Sequence, residues 1–176
     1  MMEKEFARNN IILLKLPSTD YRRCMADILR CSAKKFNRTC YITVNDPYAV
    51  IEKKAEGNAG KVFFIDCVSM KTKKHEPRDN VVFVSSPHAL TEISIAVKNA
   101  LKAGHDVFIL DSLSAMFVYE EKLAVLKFVH GLVLAIRETD TKACFVILNE
   151  DANEELLKDL SMFVDIVVGL DQHETA

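Results

Sequence analysis

The chain has 176 residues, with 23 Lys plus Arg against 25 Asp plus Glu and a formal net charge of -2, so no bulk attraction to nucleic acid or to an anionic membrane follows. That length suits a single domain able to bury on the order of 70% of its unfolded surface. The five cysteines, Cys24, Cys31, Cys40, Cys67 and Cys144, are odd in number and form no C-x-x-C pair, which argues against a disulfide framework or a zinc site and for reduced thiols in the cytoplasm.

Residues 1–10 (MMEKEFARNN) are charged and polar where a secretory signal would be apolar, and no apolar run approaches the ~18 residues of a membrane span. A soluble, cytoplasmic protein with no membrane association is expected. Residues 10–16 (NIILLKL) are almost wholly apolar, as in a strand buried on both faces. From residue 20 to about 36, Met25, Ile28, Leu29, Ser32 and Phe36 recur at helical spacing. Between that strand and that helix lies LPSTDYRRC, residues 16–24. A nucleotide-binding chain would carry G-x-x-x-x-G-K-[ST] here, because glycines let successive N–H groups curl around phosphates and the lysine reaches the β and γ phosphates. This segment has no glycine, Pro17 removes an N–H, and Tyr21, Arg22 and Arg23 replace the lysine and hydroxyl. Ser18, Thr19 or Asp20 can cap the helix. Arg22 or Arg23 at a helix N-terminus could still draw an anion, although an ordinary capped turn with solvated arginines explains them as well.

Residues 40–44 read as the second strand, and Asp46-Pro47 as a capped helix start, with the helix stopping near Gly57. Residues 61–66 (KVFFID) form the third strand. An irregular stretch, 67–80, contains the locally basic run 71–78 (KTKKHEPR); without an aromatic to stack a base and with Glu76 in its midst, it reads as a solvated loop more than a nucleic-acid contact. After a short apolar run over 81–84, Ser86-Pro87 repeats the cap-and-proline start, Leu90, Ile93, Val97, Ala100 and Leu101 make a helical stripe, and Gly104 ends it. The next strand, 107–111 (VFILD), ends in a carboxylate and runs into a long helix predicted to reach about residue 138. Strand 144–148, helix 153–161 and strand 165–170 complete the chain. Strands alternating with helices imply a mostly parallel sheet covered on both faces.

A buried strand ending in aspartate is where α/β proteins place magnesium and phosphate chemistry. Asp111, followed by Ser112 and Ser114, therefore reads either as a metal corner or as the capped start of the next helix, and without a phosphate cradle the cap is preferred. His75, His88, His105, His130 and His173 stand in no zinc-ligand spacing, and neither G-x-S-x-G nor H-E-x-x-H occurs. Residues 123–136 are apolar nearly all round a helix. Such a helix is covered on every side, either by its own domain or by another chain; a homodimer, or a pairing with a partner protein, is expected at this helix or its neighbours.

The order of elements, together with VSSPHALTEISIAVKNAL (84–101), VFILDSLSAMF (107–117) and ILNEDANEELLKDLSMFVDIVVGL (147–170), resembles the RecA superfamily in its archaeal branch related to the circadian-clock ATPase KaiC. The resemblance covers residues 10–170 and implies a three-layer α/β/α fold with a RecA-like (P-loop NTPase) core in one domain. It matches Asp111 to the Walker B aspartate and sets Asn45 and Asp46 where active relatives carry catalytic glutamates; an asparagine cannot take a proton from water. Members of that branch include inactivated ATPases implicated in signal transduction. The resemblance therefore implies a non-catalytic domain needing no cofactor. Two alternatives stay open: an ATP-binding protein that holds ATP with magnesium through Ser18, Thr19, Arg22, Arg23, Asp46, Ser112 and Asp111, and a recombinase-like DNA-binding paralogue.

Overall fold

The computed structural model describes residues 2–55, 57–71 and 78–169. Helix α1 (Met2–Arg8) leads into β1 (Ile11–Leu16), followed by α2 (Tyr21–Lys35), β2 (Thr39–Thr43), α3 (Tyr48–Glu52), β3 (Val62–Asp66), β4 (Val81–Phe83), α4 (Leu90–Lys102), β5 (Val107–Asp111), α5 (Leu113–Tyr119), α6 (Lys122–Arg137), β6 (Lys142–Leu148), α7 (Glu154–Ser161) and β7 (Ile166–Gly169). The strands form one sheet in the order β4-β3-β2-β5-β6-β1-β7, and all of its strand pairs are parallel. The α/β/α expectation holds, and the sheet is parallel throughout.

Alternation along each strand divides the core in two. Ile12, Leu14 and Leu16 of β1, Tyr41 of β2 and Ile109 of β5 face a layer built from α1, α2 and α3, with Phe6, Met25, Leu29 and Ile51 packed on them. Ile11, Leu13, Cys40, Ile42, Phe108 and Leu110 face α4 to α7. Both faces of the central strands are thus apolar, which is why their sequences run almost without a polar residue. Asp111 has the same parity as Ile109, so its side chain points into the α1–α3 layer.

Register aligns the strand ends. Thr43 of β2 stands opposite Asp66 of β3 on one side and Asp111 of β5 on the other. The carboxyl edge of the sheet therefore presents a row of polar residues, Asp66, Thr43 and Asp111, all nearly inaccessible to solvent.

Several local expectations change. The long helix after β5 is two helices: Glu120 and Glu121 are both extended (ψ 150 and ψ 147) and break it between Tyr119 and Lys122. No glycine or proline marks this break; His88 packs edge-on against Tyr119 at 5.2 Å and meets Glu120 at 3.2 Å, so the turn is fixed by the loop ahead of α4. Asp46 does not cap α3. The Asp66 carboxylate accepts the Tyr48 N–H at 2.8 Å in its place, and Asp46 faces Lys54 at 3.9 Å. Helix α4 begins at Leu90, three residues beyond Pro87, with no side-chain cap; Glu92 in its first turn instead takes the Ser85 N–H and hydroxyl at 2.9 and 2.8 Å. None of Ser18, Thr19 and Asp20 caps α2 either, and Asp20 pairs with Arg23 at 2.9 Å.

Helix α6 buries Val125, Phe128, Val129, Leu132, Val133 and Ile136. Leu123 and Leu134 remain 62% and 53% exposed, so its own domain covers one face and not the other. Most of the basic run 71–78, and residue 170 of the last expected strand, lie outside the described residues. Among the described residues no helix is long and apolar enough to cross a membrane.

Candidate functional site

The loops leaving β1, β2, β3 and β5 meet over the polar row at the sheet's carboxyl edge, the position where open parallel sheets bind ligands. Asp111 ends β5 and is 3% exposed. Its two carboxyl oxygens accept separate hydroxyls, Oδ1 from Tyr21 and Oδ2 from Tyr41. Tyr21 is the first residue of α2 and Tyr41 lies mid-strand in β2. Burial pushes the Asp111 carboxyl up to about 7, while the two hydroxyl donors favour its anion. Burial likewise raises the Tyr41 phenol well above its ordinary value, so it stays a donor.

Asp111 is not the cap of the helix that follows. Ser112 is: its hydroxyl accepts the Ala115 N–H at 3.2 Å. Ser114 ties the same turn to the sheet by accepting the Leu148 N–H at 2.8 Å. The Asp111–Ser112 peptide bond is cis.

In the turn between β1 and α2 the N–H groups of Ser18, Asp20 and Tyr21 are committed elsewhere. Pro17 has none; the Ser18 N–H and hydroxyl both go to the Glu150 carboxylate, at 3.3 and 2.6 Å. The Asp20 and Tyr21 N–H groups bond back to Pro17 and Ser18 carbonyls at 3.2 and 3.4 Å. Glu150, in the loop after β6, is thus an anion that the chain itself supplies to this turn, and the Ser18 hydroxyl holds its carboxyl below the usual range. A phosphate cradle needs consecutive N–H groups free and converging. This turn does not fit one.

None of the other named residues bonds to the Asp111 carboxylate, whose side-chain partners are Tyr21 and Tyr41. Thr19, Arg22 and Arg23 are exposed, Asp46 is drawn toward Lys54, and Ser112 is occupied as a cap. Among the described residues no group of three or more His, Cys, Asp or Glu side chains is placed to hold a metal. What the expectations missed is the pair of tyrosines and Asp66, whose fully buried carboxylate takes the N–H groups of Tyr48, Val68 and Ser69, each at 2.8 Å, and the Ser69 hydroxyl at 2.6 Å. Asp66 thereby fixes the loops after β2 and β3 from beneath. A signal for Tyr41 existed: a phenol inside an otherwise apolar central strand needs a buried partner.

Residues 9–170 match the model of a family described as a family of unknown function, DUF7504. No curated protein matches the chain. Among solved structures, a KaiC-like protein from the hyperthermophilic archaeon Pyrococcus horikoshii OT3 superposes with a TM-score of 0.64 at 11% identity, over 95% of this chain and 74% of its own. An uncharacterized protein from Pyrococcus horikoshii, solved in complex with an unknown peptide, does so with a TM-score of 0.68 at 13% identity, over 96% of this chain and 81% of its own. The likeness at these identities is one of fold, and that fold is the KaiC-like, RecA-type α/β architecture.

Proposed function

The chain belongs to DUF7504, a family of unknown function matched over residues 9–170, and we propose that within its KaiC-like fold it is a non-catalytic pseudo-ATPase that serves as a protein-interaction or signalling module in the cytoplasm. The observation that carries this reading is that Asp111, which we take as the counterpart of a magnesium-binding aspartate, is closed off by the hydroxyls of Tyr21 and Tyr41. Tyr21 opens the helix whose N-terminus would otherwise face phosphate, and Glu150 already occupies the turn before it. Chemistry on ATP would also require a base to activate water. At the end of β2, Asn45 has no basic oxygen and Asp46 is directed at Lys54.

An interaction role is in keeping with a fold relative solved with an unknown peptide and with the apolar side chains that α6 leaves exposed. Phosphate release from MgATP by the purified protein is expected at background. A steady rate that disappears in Asp111→Ala would overturn the reading in favour of an unconventional ATPase.

A further inference from the structure

Helix α6 advances 100° per residue, so Leu123, Lys127, His130 and Leu134, at i, i+4, i+7 and i+11, fall along one line directly opposite its buried face. The two leucines at the ends of this line are 62% and 53% exposed, which makes the stripe apolar at both ends and polar in the middle, with the Lys127 ammonium there. The helix's other cations are answered within the chain: Lys122 meets Glu155 and Asp159 at 2.8 and 2.9 Å, and Arg137 meets Asp165 at 2.9 Å. Lys127 is exposed and has no such acid among the described residues. His130 is held in place by stacking on Phe163, ring centroids 4.7 Å apart at 17°.

Gly131 lies on the flank of the same stripe, and a Cβ there would meet nothing within 4 Å. Glycine inside a helix is disfavoured relative to alanine, and no atom of the described residues needs the space. Room beside exposed leucines is what a second helix backbone uses on close approach.

We propose that this stripe docks an acidic amphipathic helix from a partner protein, with two apolar side chains three turns apart seated at Leu123 and Leu134 and carboxylates between them facing Lys127 and His130. The charge pattern favours such a helix over a second copy of this chain. In an antiparallel pair of copies, Lys127 would lie against His130 of the partner subunit, with no acid at the centre. The proposal rests on the interaction-module reading and names the class of partner.

The probe is a fluorescein-labelled helical peptide of pattern L-x-x-x-E-x-x-E-x-x-x-L, with L-x-x-x-K-x-x-K-x-x-x-L as its control, titrated by anisotropy against the full chain. The acidic peptide is expected to bind at least about tenfold more tightly than the basic one, and to lose about that much in Leu134→Glu or Lys127→Glu. Gly131→Ala should raise the melting temperature yet weaken binding, which separates a docking role from a folding one. Equal affinity for the two peptides, no binding of the acidic one, or full binding by Leu134→Glu would overturn the proposal. So would a wild-type dimer by light scattering that Leu134→Glu converts to monomer, since a second copy would then cover the stripe. Stabilisation by MgATP, measured on the same protein, would overturn the pseudo-ATPase reading and leave the peptide result standing.

Discussion

At the end of β5, burial has raised the Asp111 carboxyl from 3.8 to about 7. A group whose folded value lies above its unfolded one binds its proton more tightly in the native state. Its stabilisation is therefore full below the unfolded value and is lost as pH rises through the folded one. Denaturation curves for wild type and Asp111→Asn at several pH values isolate this residue. The stability advantage of the wild type over the variant should shrink, by on the order of a few kcal/mol, between about pH 4 and about pH 7; a constant difference would contradict it. Tyr21→Phe removes one of the two hydroxyls that stabilise the carboxylate. It should cost about 1–2 kcal/mol, and more at about pH 8 than at about pH 6, because the lost bond matters most when Asp111 is charged. An equal cost at both would show that Tyr21 contributes packing alone. Tyr21 was visible in the sequence only as a departure from the phosphate-binding pattern. Its bond to a residue 90 positions away depends on strand order, which no local pattern encodes.

Among the elements, the strands and the helices other than α1 were legible from their periods, and their ends less so; Met2–Arg8 was read only as a charged N-terminal stretch and is a helix. The caps were assigned from residue type alone, yet a side chain caps only if the backbone aims it at free N–H groups. Asn153 does so for α7, accepting the Leu156 N–H at 2.9 Å, whereas Asp46 and Asp111 do not. Asp111 faces away because strand alternation directs it into the α1–α3 layer, and Ser112 inherits the cap. Ser112→Ala should destabilise the chain by ~1 kcal/mol with no change in the pH dependence assigned to Asp111. If the variant instead abolished that dependence, the two residues would act as one unit. The break between α5 and α6 left no trace in YEEK, a stretch of ordinary helix formers, because it is imposed from outside by His88. In α6 the run LVLAI hid which positions point outward; only packing against the sheet shows that Leu132, Val133 and Ile136 are inside and Leu134 is not.

At the scale of the whole molecule, alternating apolar runs and helical stripes specified a parallel sheet with two covered faces, since crossovers of that length permit little else. Strand order was beyond them, and strand order is what brings β1, β2 and β5 close enough for Tyr21, Tyr41 and Asp111 to meet. The same convergence would build a nucleotide site if the turn after β1 offered glycines and a lysine. Here it offers a proline, a serine bound to Glu150 and a tyrosine bound to Asp111. The most direct measurement is a thermal melt with and without millimolar MgATP. A ligand at a hundred times its dissociation constant contributes ~2.7 kcal/mol, roughly 5 to 10 °C for a chain of this size. The melting temperature is expected to stay within about 1 °C of the nucleotide-free value, whereas a rise of several degrees that is absent in Asp111→Ala would contradict the assignment of this site as closed.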